Sequence, residues 1–153
     1  VNSASLTLTF VEAGLDPNQL AAQAPTVAQK SQGLSDAAAA LDSAVAIYSD
    51  ITIAQAAALS ALATTYAAAS LASMETASAD PSLYLQAGGI EAATAATIAA
   101  ILADQTQGSD LDRWDAISAA QLVWSAAWEV QEAITRYVRD VKAGAFPGAE
   151  HAY

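Results

Sequence analysis

The stretch LSDAAAALDSAVAIYSDITIAQAAALSALATTYAAASLASMETASA, residues 34–79, holds neither glycine nor proline. Within it Leu34, Ala38, Leu41, Val45, Tyr48, Thr52, Gln55, Leu59, Leu62, Tyr66, Ala69 and Ser73 step by four and three in strict alternation. That spacing puts them on one stripe of an α-helix, a heptad seam that weakens only at Thr52 and Gln55. One helix of about forty residues would satisfy it. So would two, because Ser49 and Asp50 are capping residues ahead of the β-branched run Ile51-Thr52-Ile53. A break or bend near Asp50 is the favoured reading. Alanine, the strongest helix former, occurs forty-two times in the chain, so local preference and periodicity agree.

Toward the N-terminus, Ser5-Leu6-Thr7-Leu8-Thr9-Phe10 alternates with period two and predicts a short strand or extended arm over residues 1–15. A lone strand must find a partner for its backbone groups, and an arm that adds to a neighbour would suit an assembling subunit. Asp16-Pro17 opens a helix, Pro25 limits it to a short one ending by Ala24, and Gly33 then punctuates the chain before Ser35 caps the next element.

Toward the C-terminus, Asp80-Pro81 repeats the opening signal. The spacing predicts a short helix from Pro81 to Ala87, stopped by Gly88-Gly89, and another over Ile90 to Thr106 with Ile90, Thr94, Ile98, Ile101 and Leu102 on its apolar face. The last helix starts at Ser109-Asp110 and ends near Ala143, with acids in its first turns and Arg139 and Lys142 in its last, as the helix dipole prefers. Its inner stripe is Ile117, Ala120, Val123, Ala127, Val130, Ile134, Tyr137 or Val138, and Val141, flanked by Trp114, Trp124 and Trp128. The pattern is therefore all-α: an alanine-rich bundle of about four to six helices in a single domain, 1–153, with 144–153 as a tail.

Only 14% of the residues are charged, against about 25% in a typical soluble domain. So little charge leaves much surface to be covered by neighbours, and a homo-oligomer or larger assembly is expected. The net charge of −11 repels phosphate and excludes nucleic acid as the expected partner; no Lys/Arg cluster draws the chain to anionic membrane. Residues 51–74 carry no charge over a length that spans a bilayer, but they are built mainly from Ala, Ser and Thr, which points to a helix buried in protein. Cysteine is absent, which removes disulfides and thiolate chemistry. The start at Val1 fits cleavage of a leader as well as trimming, so the compartment stays unknown.

Catalytic signals are sparse. His151 is the lone histidine and lies in the tail, which disfavours triads and histidine metal sites. The acids Asp110, Asp112 and Asp115 lack the glycine and distal glutamate of a calcium loop, and capping accounts for them. Glu129, Glu132, Arg136, Arg139 and Asp140 form a charged face. No cofactor or metal is expected. Trp114, Trp124, Trp128, Tyr48, Tyr66 and Tyr84 remain as candidates for a subunit interface or for a pocket that takes a hydrophobic small molecule.

The tail Arg136-Tyr-Val-Arg-Asp-Val-Lys-Ala-Gly-Ala-Phe-Pro-Gly-Ala-Glu-His-Ala-Tyr153 resembles the C-terminal end of ketopantoate hydroxymethyltransferases. That family is a TIM barrel with metal-binding aspartates on its strands, and this chain has neither the strand–helix alternation nor the length. The resemblance therefore carries no catalytic residue here. The expected function is that of a structural or interaction protein, ahead of a ligand-binding bundle and of an enzyme.

Overall fold

The computed structural model describes residues 23–75, 82–105 and 108–143. They form four helices: α1 (Gln23–Ala44), α2 (Asp50–Glu75), α3 (Ser82–Ala103) and α4 (Asp110–Lys142). The expected N-terminal arm, the short helix beginning at Asp16-Pro17 and the tail lie outside the described residues. The helix count there is four, at the low end of the expected range.

Each helix packs against its neighbours in sequence, α4 returns to α1, and α2 also touches α4 across the centre. Short connections make sequential helices antiparallel. Side-chain contacts fix the registers. Ser60 Oγ of α2 lies 2.7 Å from Asp42 Oδ1 of α1, Thr97 Oγ1 of α3 is 3.4 Å from the Gln55 carbonyl of α2, and the Tyr137 hydroxyl of α4 donates to the Met74 carbonyl at 3.2 Å. The described residues thus form an up-down-up-down four-helix bundle whose shared core includes Leu34, Leu41, Leu59, Tyr66, Ile90, Ile101, Val123 and Val130.

The break near Asp50 is real: residues 45–49 form a turn and α2 begins at Asp50. Asp104, buried at the end of α3, holds this junction by accepting from the Ser49 amide at 2.9 Å and the Thr52 hydroxyl at 2.8 Å. A carboxylate at a helix N-terminus satisfies amides that have no partner within the helix. The break also shifts the seam. After it, Thr52, Ala56, Leu59, Ala63, Tyr66, Ser70 and Ser73 face inward, so Leu62 leaves the core and stands 40% exposed.

Two expectations need correction. α1 runs without interruption through Pro25 and Gly33. Pro25 is only the third residue of the helix, where its missing amide hydrogen would have had no acceptor, so it belongs to the first turn instead of ending a helix. α3 likewise runs through Gly88-Gly89 from Ser82 to Ala103, ending short of Thr106. Leu83, Ile90, Thr94, Thr97 and Ile101 keep one helical phase across the glycine pair and are buried, so packing overrides the local preference. Of the face expected on α3, Leu102 turns outward.

α4 follows expectation. Ser109 caps it: its hydroxyl oxygen accepts from the Asp112 amide, and the Asp112 carboxylate accepts from the Ser109 amide at 2.8 Å. Gly108, at φ +91°, turns the chain into this cap beside Ile47 and Tyr48. The inner stripe Ile117, Ala120, Val123, Ala127, Val130, Ile134, Tyr137 and Val138 is buried, and α4 contacts all three other helices. By length and composition α2 and α3 are each apolar enough to cross a membrane. In this fold each contributes one face to the common core.

Candidate functional site

The six aromatic candidates separate into two groups. Tyr48 and Tyr66 are buried. Tyr66 is fully enclosed, and burial pushes its hydroxyl up to about 12, partly offset by the adjacent Ser70 hydroxyl, although neither oxygen reaches hydrogen-bonding geometry. Burial also raises Tyr48, with Asp112, Asp104 and Asp115 adding to the effect and Arg113 opposing it. Both are core residues. Trp114, at the start of α4, stands apart and is 66% exposed.

Tyr84, Trp124 and Trp128 come together. They wall a groove between α3 and α4 although they are 49%, 41% and 54% exposed. Their meeting follows from the antiparallel packing, which sets the first turns of α3 against the middle of α4, while the i, i+4 spacing of Trp124 and Trp128 aligns both rings on one side of α4. Ala87, Gly88 and Ala127 also line the groove, leaving about 230 Å³ of open cleft. An added Cβ at Gly88 would meet nothing within 4 Å. The missing side chain therefore adds depth here and relieves no internal clash.

The charges of the groove are polarised. Glu91 lies at the end beside Trp124. At the other end the cleft continues past Tyr84 and Trp128 to Thr135, Glu132, Arg136 and Arg139. Arg139 Nε reaches Asp140 at 3.2 Å, Lys30 pairs with Glu129 at 2.6 Å across the α1–α4 seam, and Arg113 lies 3.7 Å from Asp110. These are the ion pairs among the described residues, and neither Glu91 nor Arg136 takes part in one.

The remaining chemical candidates are occupied by structural tasks. Asp112 is held below the usual carboxylate range by its hydrogen bonds from Ser109. Asp110 flanks Arg113, and Glu129 bridges two helices. Among the described residues no three His, Cys, Asp or Glu side chains are grouped to hold a metal ion. His151 lies outside them.

Sequence reasoning missed Gly88 as part of the groove and Arg136 as its lip. The signal for Gly88 lies in the helical phase that Leu83 and Ile90 share across the glycine pair, which the local stop signal of Gly88-Gly89 masks. Nothing in one sequence announces Arg136, because its role depends on which helix lies beside α4. No family model, curated protein or solved structure matches the chain.

Proposed function

We propose that this chain is a structural or interaction protein, a helical subunit that self-associates into a homo-oligomer or larger assembly. One observation carries the reading: Tyr84, Trp124 and Trp128 stand half-exposed along a single groove of a chain with 14% charged residues. Aromatic residues at the centre with charge confined to the ends match the core-and-rim pattern of protein interfaces, where Trp and Tyr are prominent among the residues that dominate binding. Light scattering after size exclusion tests this directly. The expected mass at micromolar concentration is a multiple of 15.5 kDa, and a monomer at that concentration would sink the reading.

The same aromatic walls favour a second reading, a site for a hydrophobic small molecule. The cleft is open along one side, whereas pockets for such ligands enclose 70–90% or more of their guest, so the self-associating reading ranks first. Native mass spectrometry of freshly purified protein separates the two, because a retained small molecule on a monomer supports only the second.

A further inference from the structure

The proposed self-association leaves open which surface is used and in what symmetry. We propose that a second copy of this chain occupies the α3–α4 groove, antiparallel to the first about a twofold axis near Trp128, with Glu91 of each copy against Arg136 of the other. The inference rests on the self-associating reading and names its partner and geometry.

Charge selects the arrangement. Going from Trp124 to Arg136 along α4 covers about 18 Å at 1.5 Å per residue. Glu91 marks the Trp124 end, and Trp128 and Gln131 occupy the middle. The groove-lining charges are Glu91 at one end and Glu132, Arg136 and Arg139 at the other; Glu91 and Arg136 are the opposite charges of the two ends that take part in no ion pair among the described residues. A half-turn perpendicular to the groove exchanges its ends, so Glu91 of each copy meets Arg136 of the other. A twofold along the groove would instead set Glu91 against Glu91 and Arg136 against Arg136, which like-charge repulsion disfavours. Arg139 already has Asp140, so Arg136 is the guanidinium available to a partner.

The centre fits the same copy. The antiparallel twofold brings the Trp128 rings of both chains together over the shallow floor made by Ala87, Gly88 and Ala127. Glycine inside a helix is destabilising relative to alanine. An added Cβ at Gly88 would meet nothing within the monomer, so the floor at that point is open to a side chain of a second copy.

The test uses charge reversal at two exposed positions, with circular dichroism confirming that each variant is folded. Glu91→Arg alone places arginine against arginine, and Arg136→Glu alone places glutamate against glutamate. Each is expected to raise the dimer dissociation constant about tenfold or more, measured by analytical ultracentrifugation. An equimolar mixture of the two single variants should dimerise about as well as the wild type, because both contacts become attractive again, and so should the double variant. A wild-type dimer that neither single reversal weakens, or that the mixture fails to restore, overturns this arrangement and leaves self-association standing through another face. A monomeric wild type overturns both. A monomer that binds the apolar dye 1-anilinonaphthalene-8-sulfonate with quenching of its tryptophan fluorescence assigns the groove to a small ligand and likewise overturns it.

Discussion

Tyr66 shows how burial alone sets the behaviour of a residue. Its ring fills the core between α2 and its neighbours, but its hydroxyl is enclosed without a partner in hydrogen-bonding geometry. An unsatisfied buried hydroxyl destabilises, so Tyr66→Phe is expected to gain about 1 kcal/mol at neutral pH, read by urea denaturation. The alkaline limb should also change. The folded hydroxyl titrates at about 12 and the unfolded one near 10, so the unfolded chain loses its proton first. Stability from this group is complete below about pH 10 and is lost as pH rises through about 12. Tyr66→Phe should flatten that fall, and an unchanged alkaline profile would show that another group governs it. The sequence placed Tyr66 on the seam correctly, yet could not tell it from Tyr84. Helical phase separates inside from outside only once the neighbours of each helix are known.

At the scale of the helix, ends and glycines decide what is built. The reciprocal bonds between Ser109 and Asp112 fix the start of α4, and Ser109→Ala is expected to cost about 1 kcal/mol in thermal or urea unfolding. Asp112, whose carboxyl is held low by this contact, supports the cap above the ordinary carboxylate range and ceases to as pH falls through its own lowered value. The glycine pair in α3 gives a sharper contrast. Both positions have open space for a Cβ and neither has a positive φ, so Gly89→Ala should stabilise the fold by about 0.5–1 kcal/mol. Gly88→Ala should stabilise the monomer similarly while weakening association, because its methyl would fill the groove. A Gly88 variant that associates more tightly would contradict the role given to that floor. Helix existence was readable wherever apolar spacing ran long, including the break at Asp50. The boundaries expected at Pro25 and Gly88-Gly89 are absent, because a breaker residue acts only when packing on either side allows the helix to end.

Across the whole molecule, charge is divided by side. All five basic residues lie on α1 or α4, at positions 30, 113, 136, 139 and 142, while the described side chains of α2 and α3 include only Asp50 and Glu91 as charged groups. If the rims of the α3–α4 groove supply register and its aromatic centre supplies affinity, raising salt to about 1 M should weaken association modestly without abolishing it, since screening acts on exposed charges and spares apolar contact. Sedimentation across a salt series checks this, and complete dissociation would assign the affinity to charge instead. That the chain forms an all-α bundle could be inferred from periodicity, but the count of four helices among the described residues and the groove could not. The groove exists only because α3 and α4 lie side by side, a fact about tertiary order that no single helix carries.

That cyclic order also bears on how the chain reaches its native state. Three of the four seams join consecutive segments, so they can form by closing short loops, whereas the α1–α4 seam must draw together residues as distant as Lys30 and Glu129, 99 positions apart. The entropy of closing so large a loop is met most cheaply once the nearer seams have formed, so the α1–α4 seam is expected to close last in folding. Weakening it, for instance by Lys30→Ala, which removes the pair with Glu129, should therefore hasten unfolding slightly while leaving the refolding rate nearly untouched.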